Sequence, residues 1–244
     1  MRPDIDLRGY LDTRGAAILL TLSVLALAAF AALGGLIQPA VMPGSTSDVE
    51  FTFVVLTLPL SLIIPVVVVM MTAGEWSDRS IQNTFLQRPG RLGVLASKVI
   101  ASVVVVLVLV ALSIGLAAAT TWIGGELMGE GAVFSSFEDL LTTQLVALSA
   151  SLLFALAMAV LLQSTVIGLV VAIGVPFVIS TAGALTAAFA SETISNIVRA
   201  VDLTAAASAL SAGDAGAFEL LPLVLLVVLP AVLGVRRWSR REVE

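Results

Sequence analysis

The sequence predicts an all-α integral membrane protein with six transmembrane helices and both termini on the cytoplasmic side. A short amphipathic interfacial helix stands before the first span. Three observations carry this. Hydrophobic residues make up 59% of the 244 residues and charged residues only 12%, far from the balance of a soluble domain. Six apolar stretches are free of charge: 16–37, 51–72, 99–123, 140–163, 165–189 and 220–235. Lysine and arginine fall almost entirely on one side of a six-span arrangement.

Residues 1–15 alternate Ile5, Leu7, Tyr10 and Leu11 with Asp4, Asp6, Arg8 and Asp12. That imperfect amphipathic pattern suits a helix on the membrane surface, and a frayed polar leader is the competing reading of so short a segment. The first apolar stretch is also weighed as a secretory signal. Three acidic residues dilute its basic leader and it exceeds the usual h-region length, so a membrane span is expected.

The six stretches run about 16 to 25 residues, matching about 30 Å of hydrocarbon at 1.5 Å per residue. None carries a charge well inside, where proton- or ion-coupled carriers keep ionisable groups. Pro59 and Pro65 lie in span two, Pro176 in span five, and Pro222 and Pro230 in span six. Each removes a backbone hydrogen bond and favours a kink. Kinked helices in spans two and five would line a pathway, although prolines are also ordinary in membrane helices.

Span four repeats small residues at Ala147, Ser151, Ala155 and Ala159, and span five at Gly168, Ala172, Pro176, Ser180 and Ala184. Such rows allow close helix packing, while an alanine-rich chain also makes them by chance. The two-residue link Gln163–Ser164 forces these spans to be antiparallel neighbours.

Arg2, Arg8, Arg14, Arg79, Arg88, Arg91, Lys98, Arg236, Arg237, Arg240 and Arg241 share one side, and Arg199 alone lies on the other. The positive-inside rule makes the amino terminus, the loop 73–98 and the tail 236–244 cytoplasmic. The outer segment 190–219 is long for a connection. Ile194, Ile197, Val198, Val201 and Leu203 approximate helical spacing there, so one or two short helices at the outer interface are expected.

With no cysteine and no histidine, disulfides, thiol nucleophiles and imidazole-dependent catalysis are excluded. Cys- or His-ligated metal sites go with them. Ser102, Ser113, Ser149 and Ser151 have no visible base and read as packing hydroxyls. No basic tract suits nucleic acid. No catalytic, cofactor or metal site is expected in this chain, and its partners are the lipid bilayer and other proteins.

The most informative segment is the loop 73–98, AGEWSDRSIQNTFLQRPGRLGVLASK. Ser77 or Asp78 would cap a short helix, and Ile81 and Phe85 fall four apart on one face. Pro89-Gly90 would stop it. Apolar knobs among charges suit insertion into a partner's cleft. A basic loop whose arginines only set topology is the plainer alternative.

This loop resembles that of the permease subunits of ATP-binding cassette (ABC) transporters of the type-2 exporter class. Those permeases also have six spans and a surface helix before the first. The residues that match are Glu75, Arg79, Ser80, Ile81, Thr84, Phe85, Leu86, Arg88 and Arg91, ending at Ala96 and Lys98. Pro89-Gly90 departs from the Pro-Arg of many members and leaves the end of the helix open.

The resemblance implies that the loop is a coupling helix seated in a groove of a nucleotide-binding subunit. It further implies a translocation path formed by two permease chains, identical or homologous, with two ATP-binding subunits in the bacterial cytoplasmic membrane. The chain has no phosphate loop of its own, so ATP and Mg would be bound, and ATP hydrolysed, by the partner. Other readings are a non-transport assembly or sensor subunit and, behind it, a secondary carrier. The largely apolar spans, with Gln144 among few polar groups, would suit an amphiphilic, lipid-like or hydrophobic solute as well as they suit helix packing.

Overall fold

A computed structural model describes residues 2–41, 44–87, 90–135, 137–189 and 192–240. Ten helices are present among them. They are α1 (Pro3–Leu11), α2 (Arg14–Val41), α3 (Val49–Ser77), α4 (Ile81–Gln87), α5 (Arg91–Met128) and α6 (Phe137–Leu162). They continue with α7 (Thr165–Phe189), α8 (Glu192–Arg199), α9 (Leu203–Ala212) and α10 (Leu221–Arg240). Six of these, α2, α3, α5, α6, α7 and α10, are long and apolar enough to cross a membrane. The chain is thus a mostly helical, multi-pass membrane protein.

The long helices outrun the apolar stretches of the sequence. A helix of 38 residues such as α5 is about 57 Å long, nearly twice the hydrocarbon thickness. Its first turns carry Arg91 and Lys98, ahead of the apolar stretch that begins at Val99. The loop 73–98 is accordingly short of loop: Glu75, Trp76 and Ser77 complete α3, residues 91–98 begin α5, and α4 lies between. The segment 190–219 holds two short helices, α8 and α9.

Contacts divide the chain into two compact units. One comprises Gly9–Ile63 and Val104–Gln144. Here Thr13 Oγ1 accepts the Ala16 N–H at 3.1 Å and starts α2, satisfying one of the free donors of a first turn. The packing is backbone against backbone. A Cβ on Gly124 would lie 1.9 Å from the Gly35 carbonyl oxygen, and one on Gly35 2.4 Å from Thr120. Glycine alone allows α2 and α5 to meet so closely.

Hydroxyls finish that seam: Ser47 Oγ donates to the Gly35 carbonyl at 2.8 Å, and the Thr52 and Thr121 hydroxyls share a bond of 2.9 Å. A parallel bridge of two residues each, β1 (Ser47–Asp48) with β2 (Ala132–Val133), pairs Ser47 with Ala132 and Asp48 with Val133. Neither strand carries a sequence signal. The Tyr10 hydroxyl, at the end of α1, is buried with no hydrogen-bond partner among the described residues, and burial pushes its pKa up.

The other unit comprises the residues up to Arg8, then Ile64–Val103, and the chain from Leu145 onward. One of its cores joins Ala150, Phe154 and Met158 of α6 to Leu203 and Ala207 of α9. Val171 and Val175 of α7 and Leu226 and Val227 of α10 pack around it. Gln163, with φ of +50°, and Ser164 form the whole link between α6 and α7, as expected.

The small-residue rows are used unevenly. Ala155, Ala159, Gly168 and Ala172 are buried, Ser151 and Ser180 half-buried, and Ala147 and Ala184 exposed. Gly168 meets Val69 of α3 rather than α6, a Cβ there lying 3.0 Å from the valine. α3 runs unbroken through Pro59 and Pro65, and both are buried. Pro176, half-buried, lines a small hollow with Phe154, Ile179, Asp202 and Leu226.

Candidate docking site

The sequence singles out the corner between α3 and α5, and the structure builds it from α3, α4, α5, α6 and α10, with α7 and α1 tied to it. α3 ends at Ser77, whose hydroxyl is not free to cap α4. Ser77 Oγ accepts the Thr165 N–H at 2.8 Å and shares a bond with the Thr165 hydroxyl, so it caps α7 instead. The chain then turns through Asp78–Ser80, with the Asp78 N–H on the Gly74 carbonyl and Arg79 in the left-handed region at φ of +57°. A non-glycine residue there costs on the order of 1 kcal/mol.

α4 has two faces of opposite character. Ile81 is 1% exposed and packs with Trp76, Val94, Leu95, Val160 and Trp238, with Phe85 and Val99 against them. The rings interlock edge to face: Trp76 and Trp238 centroids lie 5.2 Å apart, Trp76 and Phe85 6.1 Å, and Phe85 and Trp238 6.4 Å. Edge-to-face pairs at such spacing add about 1 kcal/mol beyond burial. The Arg91 guanidinium sits 5.2 Å over the Phe85 ring.

The expected knobs, Ile81 and Phe85, are therefore turned into the chain's own core. The side turned outward carries Arg79, Gln82, Asn83, Leu86 and Gln87. Leu86 is 83% exposed, the most prominent apolar side chain at this corner. Gln82 and Leu86, and Asn83 and Gln87, are four apart, so they share one face of the helix. Ser80 and Thr84 are half-buried at the boundary. Arg88 and Pro89 lie outside the described residues.

Polar bonds fix the corner from beneath. Lys98 of α5, 4% exposed, pairs with Glu75 Oε1 at 2.5 Å, and Thr84 Oγ1 donates to Glu75 Oε2 at 2.9 Å. One carboxylate thereby ties α3, α4 and α5, and the pairing offsets the cost of burying the ammonium. Ser97 donates to the Asp6 carboxylate, bringing α1 onto α5. Glu75, Thr84 and Lys98, recognised as a motif in the sequence, are thus scaffold.

Two contributors were missed by sequence reasoning. Trp238, in the last turns of α10, is fully buried, and its Nε1–H donates to the Arg91 carbonyl at 3.0 Å. Gly234, one turn earlier, lets α10 rest on α6, for a Cβ there would lie 2.8 Å from the Leu161 nitrogen. Arg237 donates to the Leu161 carbonyl at 2.8 Å, satisfying an acceptor at the end of α6. The available signal was a tryptophan among arginines at a span's end, which reads as an interfacial anchor.

Ser102 and Ser113 bond carbonyls of their own helix. Comparison with protein-family models, with curated proteins and with solved structures gives no match for this chain.

Proposed function

We propose that the chain is the membrane-spanning subunit of an ATP-driven exporter of the ABC type-2 class, with α4 as the element that docks on a separate ATP-binding subunit. The observation that carries this reading is the outward face of α4, Leu86 flanked by Gln82, Asn83 and Arg79, mounted on an aromatic and ionic base. A helix needs such a base if a push on one face is to move the spans beneath it, because packed interiors transmit displacement. The strained Arg79 supports the reading, since local strain clusters at functional corners.

In this proposal the arginine-rich end, with Arg79, Arg91, Arg236, Arg237 and Arg240, is cytoplasmic by the positive-inside rule. Two such chains form the path, and ATP and Mg bind in two partner subunits. ATP-driven closure of the partners presses on Leu86 and its neighbours, and Ile81 and Phe85 carry the movement inward to α3, α5 and α10. Spans α3 and α7, which hold Pro59, Pro65 and Pro176, rearrange around the solute.

The experiment is affinity pull-down of the tagged chain from its native membrane in mild detergent, with mass spectrometry and an ATPase assay. A stoichiometric nucleotide-binding subunit with vanadate-sensitive activity is expected, and Leu86→Asp should release it while the chain still folds. A stoichiometric partner that hydrolyses nothing would replace this reading with that of an assembly or sensor subunit. Gradient-driven transport by the chain alone would replace it with a carrier.

A further inference from the structure

We infer that α10 is a second line of coupling, in which Trp238 registers the position of the docking helix and Leu226 and Val227, about 18 Å back along the same helix, hold the short helix α9. The inference rests on the docking reading for what moves α4; the contacts stand apart from it. At one end Trp238 is enclosed by Trp76, Ile81 and Phe85 and bonded to the Arg91 carbonyl. An α4 that shifts takes the indole with it or opens a void.

Between the two ends α10 is braced against sideways escape. Gly234 puts its backbone against Val160 and Leu161, and Arg237 holds the Leu161 carbonyl. Displacement of Trp238 is left to pass along the helix axis. The far segment, Val224–Val228, is a π turn in which the Leu229 N–H reaches back five residues to the Val224 carbonyl. Pro230, next in the chain, has no N–H to restore the regular pattern. A π turn is a point where a helix changes register, and such turns concentrate at functional sites.

Leu226 and Val227, within that turn, pack on the core formed by Leu203 and Ala207 of α9 with Phe154 and Met158 of α6. α9 itself is held at its first turn by Asp202, which is 8% exposed. Asp202 Oδ1 accepts the Thr204 N–H at 2.9 Å and the Ala205 N–H at 3.3 Å. Leu226 lines the same hollow as Asp202. Register change in the π turn thus acts directly on the seat of α9, which makes Trp238 and Leu226 positioning residues for a helix neither of them adjoins in sequence.

The test is hydrogen exchange with mass spectrometry on the full chain in lipid nanodiscs, with no ATPase present, so its outcome is independent of the docking reading. Trp238→Ala should speed exchange about tenfold, through local opening, both in 81–87 and in 203–212. Leu226→Ala should speed 203–212 alone, and the double variant should not exceed the larger single effect there, because the two act in series. Phe53→Ala, which removes a ring of the other unit that lies 6.0 Å from Phe137, should leave 203–212 unchanged.

If Trp238→Ala does not fold, Trp238→Phe keeps the ring contacts, loses the bond to Arg91, and should speed the same two segments less. Faster exchange confined to 81–87, or effects of Trp238 and Leu226 that multiply in 203–212, would overturn the relay and leave docking standing. An intact relay in a chain that recovers no ATPase would remove the docking reading and leave α10 as an internal brace.

Discussion

The nest around Trp238 and the seam between α2 and α5 are both dense contacts between helices, built from opposite materials. In the nest, three aromatic rings, Ile81 and an ion pair fill the space, so side chains do most of the joining. In the seam, Gly35 and Gly124 leave nothing between two backbones, Ser47 donates to the Gly35 carbonyl, and the Thr52 and Thr121 hydroxyls bond each other. A filled contact is weakened by removal, an empty one by addition. The two also differ in what they can transmit: interlocked rings carry a rotation or a push, while a backbone seam only resists one.

Truncation and addition should therefore have opposite effects in the two places. Trp238→Ala deletes the central ring of the nest and its bond to Arg91, and a buried aromatic-to-alanine change costs about 4 kcal/mol. Gly124→Ala adds one methyl where the Gly35 oxygen would be 1.9 Å away, so the backbones must part. The cost should be about 3 kcal/mol, at the upper end for overpacking, although alanine is the better helix former by about 1 kcal/mol. SDS titration in mixed micelles, followed by circular dichroism, measures both. A stabilising Gly124→Ala would show that the seam is not closed.

The sequence shows six long apolar helices, a short helix ahead of the first, the two-residue link at Gln163–Ser164 and the short helix with Ile81 and Phe85 on one face. Each rests on local length or periodicity. Which way that face turns is not local. Ile81 and Phe85 look alike whether their apolar partner is another protein or Trp238 of the same chain, and Trp238 lies far along the sequence. Leu86 belongs to the matched loop, and nothing local marks it as the side chain left facing outward.

The glycine seam was visible as the doublets Gly34-Gly35 and Gly124-Gly125. Rows of small residues spaced by four include Ala147 and Ala184, which are exposed, as well as Ala155 and Gly168, which are buried. Spacing identifies a face of a helix, and only packing determines what the face meets.

A third perturbation sharpens what the nest is made of. Glu75→Gln leaves the Lys98 ammonium, 4% exposed, without its counter-charge. Because the Glu75 side chain is itself 33% exposed, the loss should be about 2 kcal/mol, below that for a fully buried pair. Lys98→Met should cost less than Glu75→Gln, since the carboxylate it leaves behind has water and Thr84. The order of the two midpoints in the same SDS titration checks this. Equal losses would mean that the pair is held by packing and not by charge.

The smallest effect carries the opposite sign and separates stability from docking. Arg79 holds φ of +57° with a side chain that is exposed, so its own contacts do not offset the strain within the chain. Arg79→Gly removes the steric penalty of that backbone conformation and gives back part of the gain through the greater freedom of an unfolded glycine. The net expectation is a stabilisation of up to about 1 kcal/mol. If the outward face of α4 is where a partner sits, the same variant should recover less ATP-binding subunit in the pull-down, because a cation at the edge of the Leu86 face is lost. A variant that is more stable and docks equally well would assign the strain to the turn alone and leave Leu86, Gln82 and Asn83 to carry the contact.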